Sequence, residues 1–592
     1  MKFRQSLVLS AVLLVIISRF TQVSHSAAGN ITFDGLDALR LDPAGRRIIH
    51  VSKECSPVTT FGGVGQMLGE LTVAQSKLTD TSVAVVMPKY GSIDHVVYLW
   101  TTYSFHFGNK LVTGDVYKHQ AGKVTFILIG TPSIYPLLWT SQRVEDAYNC
   151  PSGTHPQDRD LLFSFVAASL IKSILPAEKE RAHFGKFIVH AHGATNVPVL
   201  WFLKSLALPF GSLIYSIHDY DSEVKVLYSM KKISAYSNLS PCKTSLRAKE
   251  EQSPVVFACH GSSQAETISP TVETCGHSSQ RRVPAAYFSS CADVITSVSS
   301  GMIKELMLAD PHTAELLLHR SAAGMLFPIR NWVSQSLWEE ARALVPYVDP
   351  LDGKRKAKGM LLDYMQEYGY GDMRGREISC AVGWFGRYEK NKGLHLLPSI
   401  FEAACKAGCF SVFSGYSTSV KMDKARARTT LTLHRISKAN NGCPFLMFPS
   451  KADQKDKVNV VRAAIDITII PSLKEGFGLV AAEALAFGSI PVVSSVGGLP
   501  EIISPYTGQD DSLDSWTGIE FPLFTTSQKL TSISASTATS RAVRLLQSHS
   551  GNRRPLLQRL IRSTPLRDGK HNVSGVYAYN RAYDLVHNWA AD

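Results

Sequence analysis

The chain reads Pro471-Ser472-Leu473-Lys474-Glu475-Gly476-Phe477-Gly478-Leu479-Val480-Ala481-Ala482-Glu483 in the stretch that decides its fold. Residues 464–470, just before it, are mostly β-branched and apolar, which predicts a buried strand that ends at a Pro-Ser turn. Two glycines then open a helix, with Glu475 just before its first turn and Glu483 about two turns later. At that spacing both carboxylates would face the same side of the helix.

The start of this helix, at Gly478 and Leu479, predicts a site for an anionic group. Glycine amides and the positive end of the helix dipole bind anions, and a diphosphate would fit there. One carboxylate could accept hydrogen bonds from a sugar and the other from a ribose. An ordinary amphipathic helix with solvated glutamates would contain the same residues. The glycine-containing stretches 488–493 and 497–501 that follow favour the sugar-nucleotide site.

With these features the sequence resembles the starch and glycogen synthases, retaining glycosyltransferases of two Rossmann-like domains facing a cleft (the GT-B fold). The resemblance covers most of residues 45–590 and is strongest over residues 378–501. It is closest to the broad retaining superfamily, since many glucan synthases lack a counterpart of Glu483. It implies an α/β fold that binds a nucleotide sugar as substrate, with no cofactor and no obligatory metal.

A second stretch matches the family's donor site, and it reads Val382-Gly383-Trp384-Phe385-Gly386-Arg387-Tyr388-Glu389-Lys390-Asn391-Lys392-Gly393. Arg387 and Lys392 correspond to the basic pair that holds the donor diphosphate, and Gly386 lies beside them. The chemistry needs cations there because the leaving diphosphate gains negative charge as the glycosidic bond breaks. As isolated residues they would be read as a solvated basic patch.

A glycine-rich turn near the N-terminus predicts a further donor contact. Residues 48–57 read as a strand, followed by Gly62, Gly63 and Gly65 and by a helix that starts near Met67. Glycine lets a backbone approach a phosphate closely, and the helix that follows adds its dipole. A plain loop is the alternative.

Two further strands each end in histidine. Residues 187–192 end in His190-Ala191-His192 and resemble the family strand that leads to a His-Asp-Trp turn. Their spacing alone does not predict a metal site, and a core or loop role is favoured. The strand that begins at residue 213 carries His218 to the sheet edge where ligands bind. By resemblance, His218 would contact the transferred sugar.

The chain departs from the family pattern at three places. Thr60 and Gln66 stand where the family has Lys and Asp around the glycines, and Gly193-Ala194 replaces the acidic and aromatic turn. Residues 324–330 lack the Asn-Gly and Asp of the interdomain hinge. These losses would weaken the acceptor side of the cleft.

Two hypotheses follow from the retained and the lost residues. The first is an active glucosyltransferase that moves glucose from ADP- or UDP-glucose to the non-reducing end of an α-glucan. Its catalytic residues would be His218, Arg387, Lys392 and Glu475, acting by positioning and electrostatic stabilisation, since no side-chain nucleophile is evident. The second is a catalytically impaired secreted relative that binds glycan or nucleotide, and a retaining transferase with another sugar donor is a variant of the first.

Length and composition fit two ordinary globular domains. The 592 residues are 45% hydrophobic and 19% charged, enough for two sizeable cores. The net charge of +13 suits an anionic donor. Zinc-finger spacings and aromatic-basic platforms are lacking in the sequence, so no nucleic-acid partner is expected.

The N-terminal segment predicts entry into the secretory pathway. Lys2 and Arg4 precede an apolar run over residues 7–18, which suits a signal peptide of residues 1–28 and is short for a membrane span. No stable membrane span is therefore expected, although an uncleaved anchor is an alternative. Glycosylation sequons begin at Asn30, Asn238 and Asn572 and suit an ER, Golgi or extracellular location. A bipartite plastid-targeting signal would begin with the same kind of segment.

The cysteines show no metal-binding pattern. Cys242, Cys259 and Cys275 share one Ser- and Thr-rich stretch and could carry a disulfide in an oxidising lumen, although spacing does not give the pairing. Cys405 and Cys409 lie one helical turn apart and are predicted to pack in a core.

The order of the motifs predicts the organisation of the chain. A first Rossmann-like domain would span residues 45–325, with strands near Ile48, Val83, Val124, Ile188 and Leu213 and a polar insertion over 237–285. Residues 326–377 would form a hinge and linker helix, and residues 378–525 the donor domain. Residues 526–592 would comprise a Ser- and Thr-rich stretch, read as a flexible or surface loop over residues 525–540, and a helix that by resemblance crosses back to the first domain.

Overall fold

The computed structural model describes most of the chain from residue 31 onward. The described residues are 31–34, 45–60, 62–90, 97–107, 110–130, 156–174, 187–206, 212–218, 223, 226–229, 282–309, 311–368, 377–417, 420–440, 442–448, 457–508, 515–565 and 575–589. The predicted signal peptide, most of the predicted insertion and Cys242, Cys259 and Cys275 lie outside these ranges.

The first domain is built on a ten-stranded sheet in the order β1-β4-β5-β6-β3-β2-β7-β8-β11-β12. The strands from β6 to β12 pair in parallel, and β1, β4 and β5 extend the sheet as an antiparallel edge. Strands β9 and β10 form a separate pair. The strands are β1 (Thr32–Asp34), β2 (Arg46–Val51), β3 (Thr81–Pro88), β4 (Tyr98–Phe107), β5 (Lys110–Ala121), β6 (Val124–Gly130), β7 (Phe187–His192), β8 (Ser212–Ile217), β9 (Leu227–Ser229), β10 (Arg282–Pro284), β11 (Val294–Ser297) and β12 (Leu326–Pro328).

Helices pack against this sheet, and its central parallel strands β2, β3, β7 and β8 are almost entirely buried, as is typical of parallel sheets. The helices are α1 (Gly63–Gln75), α2 (Pro156–Ser173), α3 (Pro198–Ser205), α4 (Ser300–Ala309) and α5 (Pro311–Ala322), with a 3-10 helix at Ala285–Cys291. Strands occupy all five predicted positions. Two expectations need correction: β12 pairs with β11, so the first sheet extends past residue 325, and α1 begins at Gly63 rather than near Met67.

The second domain has a six-stranded, fully parallel sheet in the order β15-β14-β13-β16-β17-β18. Numbered within the domain, this is the 3-2-1-4-5-6 order of dinucleotide-binding folds, whose ligands bind where the order reverses. The reversal lies between β13 and β16. The strands are β13 (Ala381–Arg387), β14 (Phe410–Tyr416), β15 (Phe445–Met447), β16 (Ile467–Ile470), β17 (Ile490–Ser494) and β18 (Ile519–Phe521).

The remaining helices link and cover this sheet. They are α6 (Gln335–Leu344), α7 (Pro350–Glu367), α8 (Leu397–Lys406), α9 (Val420–Ala439), α10 (Val458–Ala464), α11 (Leu479–Ala486), α12 (Leu499–Ile502), α13 (Gln528–Ser548), α14 (Arg553–Arg562) and α15 (Gly575–Trp589), with 3-10 turns at Lys390–Lys392, Leu394–Leu396 and Ser550–Asn552. Helix α15 returns to the first domain, where Tyr579 and Tyr583 are fully buried in the cluster that contains Ile48 of β2.

The Ser- and Thr-rich segment is a helix, so the predicted surface loop over residues 525–540 is wrong. Helix α13 begins at Gln528, capped by the Ser527 hydroxyl, which accepts a hydrogen bond from the Leu530 amide. Its small residues Ala535, Thr539 and Ala542 recur at helical spacing and are fully buried. Composition suggested a loop, but the periodic burial of small side chains determines the structure.

Two disulfides cross-link the edge of the second domain. Cys380 is bonded to Cys409, and Cys405 to Cys443. Cys405 and Cys409 are both buried, as predicted, and each is also bonded to a partner that the spacing did not indicate. The first bond joins the starts of β13 and β14, and the second joins the end of α8 to the turn before β15.

We expect Cys380→Ser to destabilise the second domain by about 2–4 kcal/mol, because removing the cross-link restores conformational freedom to the unfolded chain. Denaturant unfolding of the variant and the wild type measures this difference. Cys55→Ser is the matched control, because Cys55 is also buried but forms no disulfide. Equal unfolding midpoints for Cys380→Ser and wild type would contradict the expectation.

None of the helices within the described ranges is both long enough and apolar enough to cross a membrane.

Candidate active site

The two domains meet where His218 and the Glu475 loop come together. His218 follows β8 in the first domain, and its carbonyl oxygen lies 2.4 Å from the position a Cβ would take on Gly476. The Ser299 hydroxyl of the first domain donates a 2.6 Å hydrogen bond to the Gly476 carbonyl. The cleft is therefore closed at this point, with carboxyl-end loops of both sheets in contact.

The predicted donor-site residues of the second domain assemble at the reversal point of its sheet. The Lys392 ammonium lies 2.6 Å from Glu475 Oε2, which also accepts a 3.1 Å hydrogen bond from the Ser472 hydroxyl. Arg387, at the end of β13, is 44% exposed and lies 3.5 Å from Glu389. Lys392, held by the Glu475 carboxylate, and the more accessible Arg387 are suited to a diphosphate, because both cations could neutralise its charge.

Glu483 does not share a face with Glu475 in the way the sequence predicts. Helix α11 begins only at Leu479, because Gly478 adopts a left-handed conformation with φ of 99°, so Glu475 lies in the loop before it. Glu483 accepts a 2.7 Å hydrogen bond from Arg462. Burial raises the pKa of Glu483, and Arg462 opposes that change. The two carboxylates thus have separate cationic partners, and a role for Glu483 at a ribose stays a prediction.

The glycine turn of the first domain packs against protein. The Gly62 amide donates a 2.8 Å hydrogen bond to Oε2 of the buried Glu54, and the predicted donor contact of this turn stays a prediction. A Cβ at Gly65 would lie 2.7 Å from the same oxygen, and one at Gly63 would lie 2.6 Å from Leu479 of the second domain. These glycines let Glu54 and Leu479 approach α1 closely.

Four buried histidines lie side by side beneath the cleft, on β2, β7 and the end of β8. They are His50, His190, His192 and His218. In three of them, His50, His190 and His192, the potential metal ligand atoms lie within 4.8 Å of one another. Their ring nitrogens already have hydrogen-bond partners: His190, for example, bonds Tyr583 and Ser216 at 2.6 Å each. The sequence shows His190 and His192 as neighbours on one strand, but it carries no signal that would add His50 from another strand.

Because these histidines are buried, we expect the free energy of unfolding to fall in mild acid. Burial lowers the pKa of His50 and of His218 to about 4 and that of His190 and His192 well below the ordinary 6.5. Below pH 6.5 the unfolded chain therefore binds protons that the folded chain does not. Each such histidine lowers the unfolding free energy by roughly 1.4 kcal/mol per pH unit between pH 6.5 and about 4. Urea unfolding at pH 7.0, 6.0 and 5.0 measures this, and stability that is constant or rises toward pH 5.0 would contradict it.

Two of the three departures from the family pattern lie at or near the cleft. Thr60 is exposed, and the Gln66 amide donates a 3.0 Å hydrogen bond to Ser334 near the start of α6. Gly193 is left-handed, with φ of 74°, and a Cβ there would meet no atom within 4 Å. Among the described residues, the position of the lost acidic turn is thus open space beside His192.

A reciprocal pair of contacts between the domains was not predicted. Glu305 of α4 accepts a 2.6 Å hydrogen bond from the Gly497 amide, and Glu501 accepts one of 2.6 Å from the Gly301 amide. Each domain thus supplies a carboxylate to a backbone amide of the other. The Gly497-Gly498 pair was visible in the sequence, but its partner helix could not be identified from spacing.

The sequence is similar to those of known glycosyltransferases. Two family models match in chain order: the starch synthase catalytic domain over residues 47–276 and glycosyl transferases group 1 over residues 381–509. A glycogen synthase from Elusimicrobium minutum is 23% identical over 474 residues, covering 78% of this chain and 86% of that protein. Starch synthase 3 of Arabidopsis thaliana is 22% identical over 76% of this chain and 35% of its own length.

A solved structure shares the fold. The catalytic domain of starch synthase IV from Arabidopsis thaliana, bound to ADP and acarbose, superposes with a TM-score of 0.67 at 18% identity and covers 92% of this chain. The fold is that of the GT-B class, and the two matched models are both models of glycosyltransferases. This protein is a hexosyltransferase that is similar to the starch and glycogen synthases.

Proposed function

We propose that this protein transfers glucose from ADP-glucose or UDP-glucose to the non-reducing end of an α-glucan or oligosaccharide. The observation that carries the proposal is the Lys392–Glu475 pair at the reversal point of the second sheet, where Arg387 ends β13 and Gly476, next to Glu475, contacts the His218 carbonyl. The relatives named as glycogen and starch synthases, and the neighbour bound to ADP and acarbose, support this substrate class.

The proposed mechanism rests on charge placement. As the bond between the anomeric carbon and the diphosphate breaks, Arg387 and Lys392 neutralise the negative charge that develops on the leaving oxygens. Glu475 holds the Lys392 ammonium 2.6 Å away, so that the cation is oriented before the donor binds. The acceptor hydroxyl would arrive on the face that the diphosphate leaves, which retains the anomeric configuration.

The closed cleft supplies the second part of the mechanism. Contact between the Gly476 loop and His218 excludes water from the reacting carbon, which favours transfer to a sugar hydroxyl over hydrolysis. Entry of a polymer end requires the domains to separate and then to close again.

We further propose a secretory location. The disulfides Cys380–Cys409 and Cys405–Cys443 support it, because structural disulfides persist mainly in oxidising compartments. Non-reducing mass spectrometry of protein taken from its native cells, after thiol alkylation, tests the proposal. Four bonded cysteines would support it, whereas alkylation of all four would favour a reducing compartment.

The transfer proposal is tested with purified protein, radiolabelled ADP-glucose or UDP-glucose, and glycogen or maltooligosaccharides. We expect radiolabel to enter the polymer and α-amylase to release it again. The donor that is used more efficiently identifies the nucleotide base. Glu475→Ala and Arg387→Ala should abolish incorporation. If neither donor labels any acceptor although both nucleotides bind, the protein is a binding relative and the proposal is wrong.

A further inference from the structure

A line of hydrogen-bonded side chains runs through the buried core of the first domain to His218. Gln75 Oε1 lies 2.8 Å from His50 Nε2, His50 Nδ1 lies 2.9 Å from His192 Nε2, and His192 Nδ1 lies 3.1 Å from His218 Nε2. Gln75 ends α1, and the three histidines belong to β2, β7 and the residue after β8. All four side chains are buried.

The amide oxygen of Gln75 sets the direction of every hydrogen bond in this line. An amide oxygen only accepts, so His50 Nε2 must carry the proton that it donates. A neutral imidazole with a proton on Nε2 has a bare Nδ1, which accepts from His192 Nε2. The same reasoning applies to the next pair, so His192 Nδ1 accepts a hydrogen bond that His218 Nε2 donates.

The line ends in an unused acceptor. His218 Nδ1 is buried and has no hydrogen-bond partner among the described residues. A buried polar atom without a partner is costly and points to a ligand group that satisfies it. The His218 carbonyl contacts Gly476 of the Glu475 loop, so His218 lies at the boundary between the two domains.

We propose that Gln75, His50 and His192 are positioning residues that hold the His218 proton on Nε2, so that Nδ1 accepts a hydrogen bond from a hydroxyl of the bound sugar. The identity of the ligand as a sugar rests on the proposed function, whereas the direction of the hydrogen bonds does not. The line contains no charged side chain, since its members are one amide and three neutral imidazole rings. It therefore acts by fixing the orientation and the tautomer of the His218 ring.

The direct test is the nitrogen-15 NMR spectrum of the histidine side chains in the full-length, histidine-labelled protein, which distinguishes the two neutral tautomers. We expect His218 and His192 to carry their protons on Nε2 at pH 7. In Gln75→Met, which keeps the side-chain length but removes the acceptor, both tautomers should become mixed. A proton on His218 Nδ1 in the wild type, or an unchanged spectrum in Gln75→Met, would overturn the proposal, and this readout needs no transferase activity.

A kinetic test separates positioning from folding. His192→Asn can place an amide oxygen near the former Nδ1 and still accept from His218, whereas His192→Leu cannot. We expect kcat/KM for transfer to fall roughly tenfold in His192→Leu and Gln75→Met, the loss of about one hydrogen bond, and to recover in His192→Asn. Nucleoside diphosphate affinity should not change, since Arg387 and Lys392 bind that group.

Ser216→Ala is the matched control, because this buried hydroxyl bonds His190 and stands outside the line from Gln75 to His218. It should retain wild-type kcat/KM and the wild-type His218 tautomer. Equal losses in Ser216→Ala, His192→Leu and His192→Asn would show that only core packing matters and would overturn the proposal. If the wild type shows no transfer at all, the proposed function fails, and the tautomer spectrum alone decides the positioning role.

Discussion

Lys392→Ala is expected to lower kcat for glucosyl transfer by about 10²–10³, the cost of removing one preorganised group that stabilises charge in a transition state. The Lys392 ammonium is held 2.6 Å from Glu475, and the diphosphate must leave beside it. Loss of the cation leaves the growing charge on the leaving oxygens opposed by Arg387 alone. The initial rate at saturating donor and acceptor measures the effect.

Lys390→Ala is the matched control for this experiment. Lys390 belongs to the same 3-10 turn as Lys392, but it is exposed at the surface. Both variants remove one positive charge, so they differ only in whether the ammonium reaches Glu475. We expect near wild-type activity in Lys390→Ala, and similar losses in the two variants would show that the pairing with Glu475 has no special role.

Gly301→Ala is expected to reduce transfer by about tenfold or more while leaving both domains folded, because it prevents closure of the cleft on which positioning depends. A Cβ at Gly301 would lie 1.9 Å from the Gly497 carbonyl oxygen of the other domain. Both atoms are fixed by the backbone, so no side-chain rotation relieves the overlap. The variant should show a larger radius of gyration in small-angle X-ray scattering, together with a lower kcat.

Gly359→Ala provides the control for the glycine substitution. Gly359 also lies in a helix, α7, but a Cβ there would meet no atom within 4 Å. Alanine favours helix formation at both positions, so a general effect of helix propensity would appear in both variants. Wild-type activity and scattering in Gly301→Ala would show that the closed contact between the domains is not required.

The second domain was the part most readily predicted from the sequence. Its strands are continuous apolar runs, such as the one that ends at Ile470, and the turns after them carry the glycines and charges of the site. Short-range patterns of this kind indicate where buried strands and their turns lie along the chain, because each apolar run is bounded by turn residues. They give neither the order of the strands in the sheet nor the contact between Glu475 and Lys392, which the structure adds.

The remaining features depend on contacts between distant parts of the chain. Glu54 accepts a hydrogen bond from the Gly62 amide, and Gly301 lies against Gly497 across the cleft. Neither contact can be inferred from the spacing of residues along the chain. The line of histidines needs three strands to align in register, so the sequence revealed its members without their connection. In α13, Ser and Thr content suggested a loop because composition outweighed the helical spacing of its small buried residues.

Proton NMR of a reaction between nucleotide α-glucose and a maltooligosaccharide tests the central claim most directly, since it follows donor loss and product linkage together. We expect one new α-linked glucosyl unit for each nucleoside diphosphate released by the wild type, and neither product with Lys392→Ala on the same timescale. A β-linked product, or donor loss that yields free glucose without a new linkage, would contradict the assignment of this site to retaining glucosyl transfer.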